Sequence, residues 1–119
     1  MKSLTRRESE IMGYFWSNGP LFIKDLHTLY DEPKPHVNTL STMVHILEGK
    51  GFLKHKVYGN SYQYYSVVPK EEYSKKTLSG IVSEYYDNSY LNAISALVKE
   101  EKVSVEELRE FIKMIEKQK

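Results

Sequence analysis

His36, Asn38, Thr39, Ser41 and Thr42 crowd five polar side chains into seven residues. Amides and hydroxyls at this density suit the edges of base pairs. Asn can pair bidentately with adenine, and Ser or Thr can bond several bases or touch the thymine methyl. Cations and a phenol flank the group in sequence: Lys34, Lys50, Lys54, His55, Lys56 and Tyr62, with Arg6 and Arg7 further upstream. Phosphate oxygens take such partners, which hold register and give salt-dependent affinity without reading sequence. The chemistry these residues offer is recognition of a double-stranded nucleic acid rather than bond making or breaking.

Catalytic constellations are missing. The chain has no Cys, so thiolate metal sites, disulfides and a Cys nucleophile are excluded. Its four His residues fall in no HxxxH or HExxH pair, and there is no nucleophile elbow and no GxGxxG or GxxxxGK[ST] loop. No enzyme activity, metal or cofactor is expected. The 119 residues, 40% hydrophobic and 28% charged, suit one domain or two small units sharing a core. Apolar runs are far shorter than the roughly 20 residues of a membrane span, and the start lacks a signal-peptide stretch, so a cytoplasmic protein without membrane contact is expected. Net charge is only +1, yet from Pro33 to Val68 four Lys face a single acid, Glu48. A local basic patch is the footprint of a nucleic-acid partner; a merely solvated face is the plainer alternative.

The elements that must position these residues are legible in the spacing. Thr5 and Glu8 make a capping box, and Ile11, Met12, Phe15 and Trp16 form one apolar stripe, so a first helix ends at Asn18-Gly19-Pro20. Trp16 reads as core. Phe22, Ile23, Leu26, Leu29 and Tyr30 predict a second helix from Leu21 to about Asp31. Pro33-Lys34-Pro35 is a stiff turn. A third helix covers about 36–49, with Val37, Leu40, Val44 and Leu47 inward and the polar set outward; Gly51 suits the left-handed position that ends a helix. Asn38 could alternatively assist in capping. Two β-prone runs around Gly59-Asn60 predict a hairpin over about 52–68.

After Pro69 the pattern is helical. One helix runs from Pro69 to about Asp87, a shorter segment from Tyr90 to Val98, and a last helix opens on the Ser104–Glu107 capping box. The expected division is 1–68 and 69–119. The last helices are too short and too striped to bury their apolar faces alone. A symmetric pair would bury Leu78, Ile81, Tyr85, Leu108, Phe111, Ile112 and Ile115 across a shared interface.

Three helices and a hairpin are the parts of a winged helix-turn-helix, in which the third helix enters the major groove and the hairpin is the wing. The expected class is mainly α with a small β-hairpin, followed by a helical dimerisation unit. The stretch from Asn38 to Leu53 resembles the NTVxTxxxRLexKGxL signature of the penicillinase-repressor family, which includes β-lactamase, methicillin-resistance and copper-responsive repressors. Trp16, Tyr62-Gln63-Tyr64-Tyr65 and Glu72-Tyr73 also resemble that family's pattern. The resemblance implies a homodimer that binds a palindromic operator and represses transcription. Ile46 stands where the signature has arginine. The cysteine-rich metal motif of the copper branch has no counterpart. In the antibiotic branch a membrane-bound sensor's signal leads to cleavage at an Asn-Phe bond, and the equivalent pair here is Ala96-Leu97. A winged helix that binds only proteins is the competing expectation, because fold alone does not specify function.

Overall fold

The computed structural model describes residues 2–118. Nine elements follow in order: α1 (Arg6–Asn18), β1 (Leu21–Phe22), α2 (Ile23–Thr28), α3 (Val37–Gly49), β2 (Leu53–Tyr58), β3 (Ser61–Ser66), α4 (Lys70–Tyr85), α5 (Tyr90–Lys99) and α6 (Val105–Gln118). The chain divides into two compact units, 1–74 and 75–119, with the division inside α4. The first unit extends past Pro69 because Tyr73, in the first turn of α4, belongs to it. Its ring packs edge-on to Phe52 at 5.5 Å, and its hydroxyl accepts from the Leu4 amide at 2.9 Å.

Local chemistry starts and stops these helices. Thr5 Oγ1 accepts from the Glu8 amide while the Glu8 carboxylate accepts from the Thr5 amide, at 3.2 and 2.8 Å, so α1 has the expected capping box. At the other end of α3, Gly51 takes φ 89°. Its amide donates to Glu48 O and the Phe52 amide to Leu47 O, both at 3.0 Å, satisfying carbonyls the helix leaves open. In the hairpin, Tyr58 pairs with Ser61 across a two-residue turn. Gly59 alone takes positive φ there, at 59°, as a turn with glycine first requires.

Two predictions need correction. Val37, expected inward, is 41% exposed at the start of α3 and lies outside the core. Leu21 and Phe22 are not helical: they pair with Tyr64 and Gln63, adding β1 to the hairpin in a sheet of order β1-β3-β2. The second helix is correspondingly only Ile23–Thr28, and Leu29 and Tyr30 pack on the core from the following turn. The spacing of Phe22, Ile23 and Leu26 suits a helix. The open edge of β3 takes the first two residues instead, since it offers their backbone groups partners.

The core of the first unit is Ile11, Met12 and Phe15 from α1, Leu21, Leu26, then Leu40, Val44 and Leu47 from α3, with Phe52, Leu53 and Tyr64. Trp16 is partly buried against it, and its indole N–H donates to Val68 O at 2.8 Å, tying α1 to the end of the hairpin. The three helices and the wing are thus a winged helix. The second unit is of a different kind: Val82 is the one buried side chain among its described residues.

Candidate nucleic-acid interface

The inward residues of α3 decide which side chains are left outside. Leu40, Val44 and Leu47 are fully enclosed, so the opposite arc of the helix faces solvent. Asn38, Thr39, Ser41, Thr42, His45 and Ile46 are all exposed on it. At 3.6 residues per turn Asn38, Thr42 and His45 share the crest, with Thr39 on one flank and Ser41 on the other.

His36 is the N-cap of α3: its Nδ1 accepts from the Asn38 amide at 3.0 Å. The ring proton therefore sits on Nε2, and that N–H is the group His36 can offer a partner. Capping falls to His36 rather than to the Asn38 side chain. Thr42 Oγ1 donates back to Asn38 O at 3.0 Å, so its hydroxyl is bonded within the helix.

Each flank of α3 borders a cleft. One, of about 510 Å³, is lined by Arg7, Glu10, Tyr30, Lys34, His36 and Thr39, among others. The other, of about 520 Å³, is lined by Lys24 of α2, Ser41 of α3, and Asn60, Ser61 and Tyr62 of the hairpin. The fold therefore brings Arg7 of α1 beside one flank of the polar helix and the hairpin beside the other. Arg6 and Arg7 lie exposed in the first turn of α1, and Lys54 and Lys56 lie exposed on β2. The Lys56 ammonium sits 5.8 Å from the centre of the Tyr65 ring.

Three of the expected phosphate ligands have protein partners. Lys34 Nζ donates to His27 O at 3.1 Å and Thr28 O at 3.3 Å, closing the carbonyl end of α2. Lys50 Nζ donates to Glu8 Oε1 at 2.7 Å. His55 Nδ1 meets Glu48 Oε2 at 2.6 Å, and its ring stacks on Tyr62 at 4.4 Å. Two of these contacts anchor the C-terminal end of α3, and the third ties the turn before it to α2. Sequence reading missed Lys24 and Asn60 as neighbours of the polar helix. Their approach depends on β1 joining the sheet, which no local pattern announced.

Burial tunes three acids here. Burial raises the Glu8 carboxyl, but the hydrogen bonds from Lys50 and Thr5 outweigh it, so its pKa is lowered. The Tyr30 hydroxyl is pushed up by burial and then by Glu10, and Tyr64 by burial and then by Glu48 and Tyr62. Both phenols stay protonated donors. Among the described residues there is no group of His, Asp and Glu fit to hold a metal ion, and no helix long and apolar enough to cross a membrane.

In the second unit Leu78, Ile81 and Tyr85 are exposed on α4, and Phe111, Ile112 and Ile115 on α6, with Leu108 half-buried. Leu91, Ile94 and Leu97 of α5 add to this apolar surface. The Ala96–Leu97 bond lies within α5, whose carbonyls there accept from Glu100 and Lys102.

Comparison with known proteins agrees with this architecture over nearly its whole length. Residues 4–117 match the model of the penicillinase repressor family. The chain is also similar to methicillin resistance regulatory protein MecI of Mammaliicoccus sciuri and of Staphylococcus aureus (strain N315). Each is 24% identical, over 96% of this chain and 94% of the relative. With the winged helix, its outward polar helix and the following helices in place, and a family match across both units, the chain belongs to the penicillinase repressor family of transcriptional regulators.

Proposed function

We propose that this repressor acts as a homodimer on a palindromic DNA operator, with α3 of each subunit in the major groove and the β2–β3 hairpin beside the duplex. One observation carries the reading: the exposed arc of α3 has three hydroxyls and an amide where a helix needing only solubility would show Glu and Lys. A groove about 12 Å wide admits one such helix. Asn38, Thr39, Ser41, Thr42 and the Nε2–H of His36 are the base-reading groups. Arg6, Arg7, Lys54, Lys56 and Tyr62 contact phosphate, and Lys24 joins them from the wing-side cleft. Lys34 and Lys50 add positive charge nearby, while the protein partners of Lys34, Lys50 and His55 make their first task the seating of α3.

Dimerisation through the second unit is supported by its surface. Leu91 is 79% exposed, Tyr85 70% and Phe111 58%, and these accompany Leu78, Ile81, Ile112 and Ile115. Single apolar residues on a surface are ordinary, but a set spread over three helices marks an interaction face. A two-fold pair uses the same patch on both subunits and sets two reading helices against two half-sites about one DNA turn, or a multiple, apart.

Competition gel shifts on the chain's own promoter region, with a salt titration, test the reading. A repressor prefers that DNA over random duplex, and its log affinity falls steeply with log salt. Equal binding to all duplexes, or a flat slope, would favour a winged helix that binds proteins instead.

A further inference from the structure

We infer that α3 reads its half-site mainly through thymine methyl groups and adenine edges, along the line Asn38, Thr42, Ile46. The inference rests on the operator-binding reading above and specifies what that helix selects. The three residues recur every fourth position, so each neighbours the next on the exposed side of the helix, in a row that runs from the crest toward the Thr39 flank.

Their outward chemistry is unlike a general polar surface. Asn38 carries a carboxamide that can both accept from and donate to an adenine edge. Thr42 donates its hydroxyl proton to Asn38 O at 3.0 Å, which leaves its γ-methyl and the lone pairs of its oxygen for a partner. Ile46 is 45% exposed on an otherwise polar arc, leaving branched hydrocarbon in water. The thymine C5 methyl is the apolar feature of the major-groove edge, and hydrocarbon against it removes both from water.

What the helix lacks points the same way. From Val37 to Gly49 there is no Lys and no Arg. The commonest specific contact to guanine is a bidentate cation on O6 and N7, and α3 has none to give. His45 offers a single ring donor beside the line, not a fork. The cations proposed to meet phosphate stand on α1, α2 and the hairpin and carry no base preference, while Lys34 and Lys50, at either end of α3, are bonded to the α2 carbonyls and to Glu8.

The test begins with selection of duplexes from a random pool by the full chain. Each thymine of the selected half-site is then replaced singly by deoxyuridine, which deletes the methyl and keeps every hydrogen-bonding group. Loss of one buried methyl, about 0.8 kcal/mol, corresponds to roughly fourfold weaker binding. At least one thymine per half-site should show that penalty. Ile46→Ala should abolish it at one position, and Thr42→Ser, which keeps the hydroxyl, at a neighbouring one. Both side chains lie outside the core, so the fold should survive, as circular dichroism would record. Uracil tolerated at every position, or penalties that neither variant alters, would overturn the inference and leave the operator reading standing. A pool in which no sequence is enriched would sink both.

Discussion

His55 Nδ1 on β2 lies 2.6 Å from Glu48 Oε2 on α3, joining the wing to the last turn of the reading helix. The contact is a part-buried side-chain hydrogen bond. His55 also stacks on Tyr62, one of the residues proposed to meet phosphate, at 4.4 Å and 23° between planes. The pair thus sets the wing's position relative to the helix as well as stabilising the fold. Glu48→Ala and His55→Ala should each cost about 0.5–1.5 kcal/mol in urea unfolding. A double-mutant cycle should show coupling. Operator affinity should fall without a change in base preference; strict additivity of the two losses would show that the contact contributes nothing.

Glu8 and Lys50 make the corresponding tie between α1 and the end of α3. Glu8 is buried, caps its own helix and takes the Lys50 ammonium at 2.7 Å. Glu8→Ala removes a cap and a charged hydrogen bond, and should cost about 1–3 kcal/mol. Its pKa in the fold is lowered from the ordinary 4.5. Below that value the unfolded chain takes up a proton that the folded chain still refuses. Glu8 therefore adds full stability above pH 4.5 and loses it as pH falls through the lowered folded value. Unfolding midpoints measured from pH 7 down to about 3 should fall less steeply in Glu8→Gln than in the parent. Parallel curves would contradict this account of the pair.

Asn38 and Lys56 separate reading from holding. Asn38→Ala should relax preference at one position of the half-site, at about 1–3 kcal/mol for a lost bidentate contact. Lys56→Ala should weaken all duplexes alike and lower the salt slope by about one. Binding profiles over single-base operator variants distinguish the two. A preference altered by Lys56→Ala but not by Asn38→Ala would mean that α3 is not the reading helix.

Phe111→Glu places a charge on the apolar face of α6, where the parent ring is 58% exposed in the protomer. Exposure means that the protomer's own core is untouched, whereas a charge across a two-fold interface meets its own copy. Sedimentation should show monomers at concentrations where the parent is dimeric. Trp16, packed beside the core of the first unit, should keep its emission, reporting that this unit remains folded. A variant that stays dimeric would move the interface off α6.

Much of this protein was legible as a string of residues, because the signals involved are local. Caps at Thr5 and Ser104, the Gly51 helix end, the Gly59 turn and the outward arc of α3 each depend on a few neighbouring side chains and their own backbone. Helical periodicity then separates Leu40, Val44 and Leu47 from Asn38 and Thr42 without knowledge of what encloses them. Three matters were settled only by the fold. Leu21 and Phe22 became a strand because β3, more than 40 residues away, offers them an edge. Lys34, Lys50 and His55 acquired acceptors from α2, α1 and α3, whose approach is set by core packing and leaves no mark in their immediate sequence. Lys24 reached the flank of α3 for the same reason: short-range chemistry chooses the elements, and the burial of their apolar faces decides which charges become neighbours.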